Sequence, residues 1–168
     1  PMTHIIHQHR GTIDKYMGDA IMAFWGAPLE EPQHARHALD AAMAMLKRLE
    51  SMQTEMKAKG WPPIKIGVGL NTGQMSVGNM GSTFRMAYTV MGDRVNLGAR
   101  LEALTRQYSV DTLVSEQTAQ AATDYAFLPV DKVRVKGKQE PVKILLPACY
   151  KYNLLKTGSC IKSTRSPP

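Results

Sequence analysis

Lys15 and Asp19 stand four residues apart in Gly11-Thr-Ile-Asp-Lys15-Tyr-Met-Gly18-Asp19-Ala-Ile-Met-Ala-Phe-Trp-Gly26, beside a tight turn between two runs of β-formers. An aspartate at a strand end suits a hard divalent cation. A lysine ammonium there can donate to a base edge or a phosphate. The even spacing sends both side chains to one face of a straight strand. Each residue also has an ordinary reading. Gly-Asp is common turn chemistry, and a lysine on a sheet edge is usual.

A second group lies in Tyr88-Thr-Val-Met-Gly-Asp-Arg-Val-Asn96-Leu-Gly-Ala-Arg100-Leu-Glu. Asn96 and Arg100 are one helical turn apart on one face, beside the stripe of Leu97, Leu101 and Leu104, so both can point into a cleft. The plain alternative is a solvated face with the arginine paired to an acid, and Glu102 is not at the spacing for that. Thr89 carries a hydroxyl that can donate or accept, though alone it is an unremarkable strand residue. Lys136-Gly137-Lys138 has donors for a terminal phosphate around a glycine that permits close approach; a soluble hairpin tip looks the same. His4, His7 and His9 lack a completed ligand set, and His34 with His37 reads as an exposed helix face. Gly78-Asn-Met-Gly81 is not a phosphate loop, because no Lys-Ser/Thr follows it.

These residues need elements to position them. The spacing predicts a helix end over His4–His9 and a hairpin over Thr12–Trp25. Glu30-Glu31-Pro32 opens a helix with acids at its positive end. Its apolar stripe runs through Ala35, Ala38, Ala42, Met45, Leu49, Met52 and Met56, and Gly60-Trp-Pro-Pro63 stops it. Ile64–Leu70 alternates and reads as a strand with one buried face. Gln74–Val77 is extended and leads into Gly78–Gly81 as a flexible loop. Arg85–Met91 is a strand, ended by Gly92-Asp93. A helix follows with Leu97, Leu101, Leu104 and Tyr108 on one stripe. Val110–Val114 is a strand, Ser115–Ala122 a helix, and Val130–Val135 with Pro141–Leu146 a last extended pair. The order implies an α+β sandwich on a mixed or antiparallel sheet.

With 168 residues, 43% hydrophobic and 21% charged, one domain with a single core is expected. Of the net charge of +7, Lys151, Lys156, Lys162 and Arg165 supply +4 in residues 147–168, where no acid offsets them. A basic tail of weak periodicity is expected to be disordered, and no nucleic-acid partner is expected. Both cysteines, Cys149 and Cys160, lie there, so the core has no disulfide framework and a reducing interior fits. No apolar run reaches the length of a membrane span.

The stretches quoted around Asp19 and Asn96 resemble, in order, the catalytic domain of class III adenylate and guanylate cyclases, over about Gly11 to Leu146. The resemblance implies a ferredoxin-like, palm-like sandwich with a mainly antiparallel sheet and helices packed on it. It implies a cyclase domain over 1–146, lacking the family's first strand and first helix, with the basic tail over 147–168. Asp19 would be one of two carboxylates holding two divalent cations, Mg²⁺ or Mn²⁺; nothing before Gly11 matches the other. Lys15 would donate to adenine N1 and Thr89 accept from the adenine amino group, which favours ATP. Guanylate cyclases carry Glu at the lysine position. Asn96 would orient the ribose, Arg100 stabilise charge on the α-phosphate, and Lys136 hold the β- and γ-phosphates. The implied activity is ATP to 3′,5′-cyclic AMP and pyrophosphate, in a head-to-tail homodimer with sites at the interface. The resemblance further implies a cytoplasmic domain, with membrane attachment only through an upstream region, and little turnover from this fragment alone. The competing reading is a non-catalytic dimerisation or regulatory module.

Overall fold

Adjacent residues of one short strand divide the core between them. Leu113 and Val114 are both fully buried, yet leave their strand on opposite sides. Leu113 joins Leu97, Leu101, Val135 and Ile144, while Val114 joins Ala35, Leu39 and Ala122. That strand is therefore covered on both faces, and helices must lie above and below it. The computed structural model, which describes residues 1–135 and 140–148, has this arrangement.

In chain order the elements are α1 (Met2–Gln8), β1 (Thr12–Met17), β2 (Ala20–Phe24), α2 (His34–Ala58), β3 (Val68–Leu70) and β4 (Ser76–Ser82). Then come β5 (Arg85–Met91), α3 (Asp93–Tyr108), β6 (Thr112–Ser115), α4 (Glu116–Ala121), β7 (Ala126–Val133) and β8 (Val142–Ala148). Four strands form one sheet in the order β3-β6-β8-β7, and β1-β2 and β4-β5 are separate antiparallel pairs. Only β3 and β6 run parallel, so the α+β class and the mixed, mainly antiparallel sheet hold.

α3 packs on one sheet face through Leu97, Leu101 and Thr105. α2 and α4 pack on the other, where the Tyr125 hydroxyl donates to Asp40 at 2.6 Å. α3 lies very close to β3. A Cβ at Gly69 would come within 2.2 Å of the Glu102 nitrogen and 2.3 Å of the Gly98 oxygen. Both obstacles are helix backbone, so neither can rotate aside. Gly69→Ala is expected to destabilise the domain by about 3 kcal/mol, the upper range for overpacking, and to lower Tm by roughly 6–12 °C. Thermal melting checks it; an unchanged Tm would mean that α3 does not sit this near β3.

Several sequence boundaries move. Of Ile64–Leu70 only Val68–Leu70 is strand, because alternation cannot say whether a neighbour supplies a ladder, and only those residues pair with β6. Gly78–Gly81 is strand and not loop: Gly78 opposes Thr89, Asn79 Tyr88, Met80 Ala87 and Gly81 Met86. Glycine lowers strand preference locally, and a complete partner overrides it. β7 begins at Ala126, earlier than expected, and its register shifts between Pro129 and Asp131, where proline cannot donate to the ladder. β8 continues through Pro147 and Ala148. α2 has no acid in its first turn.

Glu31 instead sits before α2. It accepts from Arg10 Nη1 and from the Gln33 nitrogen at 3.1 Å, and lies 3.6 Å from His37 Nδ1. The Arg10 hydrogen bond, then the Gln33 amide, hold the Glu31 carboxyl below its usual range. A depressed carboxyl contributes stability above its unfolded pKa, and loses it as pH falls through the folded one. Between neutral and acid pH Glu31→Gln should therefore lose less stability than the parent, measured by denaturant unfolding followed by circular dichroism. Identical pH profiles would remove Glu31 from the acid transition.

Among the described residues no helix is long and apolar enough to cross a membrane. Lys136 and Lys138, and the tail from residue 149 onward, lie outside the described residues.

Candidate functional site

The hairpin tip is built by Gly18, whose φ of +63° suits a residue without Cβ, and by Asp19 beside it. β1 ends at Met17, so Asp19 lies in the turn, beyond the reach of strand alternation. The even spacing from Lys15 therefore does not by itself place the two side chains on one face. Asp19 is exposed at the tip, an oxygen ligand open to a hard cation. Among the described residues no group of three His, Cys, Asp or Glu could close around a metal. Asp19 offers one carboxylate, and the described residues do not by themselves complete a site.

Lys15 is about half exposed, opposite Met22 of β2. Its ammonium lies 3.5 Å from Oδ2 of Asp14, whose side chain is only 2% exposed. Sequence reasoning passed over Asp14. Its only signal was an acid next to the lysine, and the bulge that makes it matter is not legible in residue types.

Thr89 is buried on β5, opposite Gly78, and its Oγ1 has no hydrogen-bond partner. β5 touches both β1 and α3, and Phe24 of β2 approaches Tyr88 with ring centroids 6.1 Å apart. The strand carrying Thr89 thus lies between the hairpin of Lys15 and the helix of Arg100. That helix is anchored at its start by Asn71 Nδ2, which donates to the Arg94 carbonyl at 2.7 Å. Asn96 is exposed on α3. Arg100, one turn on, is half-buried, with Nη1 sealed from solvent and unpartnered among the described residues.

Buried polar atoms are nearly always hydrogen-bonded, so the exceptions are informative. Among the described residues six buried side-chain atoms lack a partner, and three of them are Asp14 Oδ2, Thr89 Oγ1 and Arg100 Nη1. The Asp14 oxygen has the Lys15 ammonium beside it, while the hydroxyl and the guanidinium left unsatisfied along β5 and α3 are suited to a ligand that brings both polar edges and negative charge. A hollow of about 510 Å³ beside the start of α3 is lined by Gln74, Met75, Ser76, Met91 and Gly92, none of them among the candidates. Of the histidines set aside earlier, two take backbone partners: His9 Nδ1 meets the Ile5 carbonyl at 2.8 Å and His34 Nδ1 that of Glu31 at 2.9 Å.

Known proteins place this arrangement. Adenylate cyclase 1 of Rhizobium meliloti is 34% identical over 143 residues, 84% of this chain and 22% of the relative. An adenylate cyclase of Anabaena cylindrica is 35% identical over 151 residues, 85% of this chain and 29% of that protein. The chain thus spans about a quarter of the length of these relatives. Among solved structures, the guanylyl cyclase Cya2 superposes with a TM-score of 0.79 at 34% identity, covering 90% of this chain and 78% of that one. The adenylyl cyclase CyaB from P. aeruginosa gives 0.79 at 31%, covering 88% and 76%. Residues 1–148 match the family described as the adenylate and guanylate cyclase catalytic domain, and the chain belongs to that family.

Proposed function

We propose that this chain is the catalytic part of an adenylate cyclase, forming 3′,5′-cyclic AMP and pyrophosphate from ATP. The observation that carries the reading is the pair of unsatisfied buried groups, Thr89 Oγ1 and Arg100 Nη1, on β5 and α3. Lys15, on the neighbouring hairpin, is free to donate to adenine N1, an atom that is protonated in guanine. The Thr89 hydroxyl accepts from the adenine amino group. The named relatives include adenylate cyclases, while Cya2 is a guanylyl cyclase at similar identity, so the choice of base rests on these two side chains.

In the reaction the ribose 3′-hydroxyl gives up its proton to solvent and its oxygen attacks the α-phosphorus. A new P–O bond closes the ring, the bond to the β-phosphate bridging oxygen breaks, and pyrophosphate leaves with the electron pair. Asn96 orients the ribose, and the Arg100 guanidinium meets charge as it builds on the α-phosphate oxygens. Lys136, outside the described residues, is assigned to the β- and γ-phosphates. Cyclases of this family use divalent metal ions; Asp19 is assigned as one ligand of Mg²⁺ or Mn²⁺, two per complete site.

The partner is assigned as a second copy, head to tail. Both hairpins carry apolar side chains into solvent, with Phe84 98%, Met86 62% and Tyr16 61% exposed. A cluster of that kind is suited to pairing. The same surface is what a non-catalytic dimerisation module would present, and turnover separates the two. Cyclic AMP and cyclic GMP formation would be measured with Mn²⁺ for this chain and for the full-length protein. Cyclic AMP from the full-length protein, in excess of cyclic GMP, is the expected result. No cyclic nucleotide from either would favour the dimerisation module, and cyclic GMP in excess would overturn the assignment of Lys15 and Thr89.

A further inference from the structure

We propose that Asp14 is a positioning residue for Lys15, a buried acid that fixes where the lysine ammonium lies and so sharpens the choice of base. The proposal rests on the assignment of Lys15 as a base reader. β1 and β2 pair regularly except at one point: Ile13 opposes Ala23 and Lys15 opposes Met22, leaving Asp14 as an extra residue without an opposite number. In a regular strand successive side chains leave on opposite faces, so Asp14 and Lys15 could not meet. A bulge breaks that alternation and re-aims a side chain. Here it brings Asp14 Oδ2 to 3.5 Å from Lys15 Nζ.

The two ends of this contact are unlike. The Asp14 side chain is 2% exposed and that of Lys15 48%. Asp14 Oδ2 has no hydrogen-bond partner, so the lysine charge is the compensation it has among the described residues. An acid buried in this way is unfavourable unless something nearby uses it. Lysine is a point charge on a flexible four-carbon stem and on its own selects no direction. A fixed anion at the root of the hairpin tethers one side of the ammonium. Its three donors then divide between Asp14 and a ligand on the open side. Holding the stem before the base arrives removes rotamer freedom that binding would otherwise have to remove.

The test compares wild type, Asp14→Asn, Lys15→Met and the double variant in the full-length protein, with ATP and with GTP. Asp14→Asn is expected to raise the KM for ATP about tenfold with kcat within about twofold, and to lower the ATP:GTP ratio of kcat/KM. In the Lys15→Met background it should change neither. An effect of equal size with and without Lys15, or an unaltered ATP:GTP ratio, overturns the proposal. If Lys15→Met itself leaves the ratio unchanged, the base-reading assignment fails, and the specificity role of Asp14 fails with it. Melting of this chain reads the contact separately, without turnover. Lys15→Met strands the buried acid and should lower Tm by about 4 °C, and adding Asp14→Asn should restore it. Additive shifts would mean that the two side chains are not coupled.

Discussion

Arg100→Ala is expected to lower kcat about 100- to 1,000-fold, the range seen when one preorganised donor to a developing oxyanion is removed, with KM for ATP changed far less. The reason is the state of the side chain before any ligand binds. Nη1 is out of solvent, has no partner among the described residues, and sits on a helix held tightly against β3. The backbone that carries it is thus fixed by packing, and little movement of the helix is needed when negative charge grows beside the guanidinium. An interaction made mainly in the transition state shows in kcat and not in KM. Arg100→Lys should recover little, because a point charge on a flexible stem cannot replace a planar multi-donor fork. Steady-state kinetics on the full-length protein decides. A rise in KM with kcat intact would move Arg100 from the reacting phosphate to ground-state binding.

Lys15→Glu is expected to lower kcat/KM for ATP about 100-fold and to raise that for GTP, by exchanging a donor for an acceptor at the base edge. The structure adds a consequence that the base alone does not suggest. The new carboxylate would stand beside Asp14, buried and already short of partners, and two acids at that distance repel. Lys15→Glu should therefore melt at lower temperature than Lys15→Met. Adding Asp14→Asn should recover the stability and enlarge the gain toward GTP. Measuring ATP and GTP turnover beside thermal melts of the three proteins checks this. A Lys15→Glu protein that keeps its ATP preference would remove Lys15 from the base.

The elements that repeat along the chain were the most legible. The helix expected between Glu30-Glu31-Pro32 and Gly60 spans His34–Ala58, and β5 matches Arg85–Met91 at both ends. Helical stripes and alternating runs are local properties, so a window of residues contains the information. Elements made by a partner were misread. Gly78–Gly81 becomes strand through β5, and Ile64–Gly67 fails to become strand because only Val68–Leu70 pairs with β6. Pairing is a property of two segments, and composition describes one.

The candidate site divides along the same line. Residue types and spacing by themselves determined the hairpin with Lys15 and Asp19, the helical offset of Asn96 and Arg100, and, through resemblance, the cyclase family. Tertiary structure decided that Thr89 Oγ1 and Arg100 Nη1 are buried without partners among the described residues. It also decided that Asp14 turns toward Lys15. Burial and unsatisfied hydrogen-bonding capacity depend on which distant segments close over an atom, and a bulge depends on how two strands come into register. A sequence lists the groups that can do chemistry; the packed fold determines which of them are left unpaired.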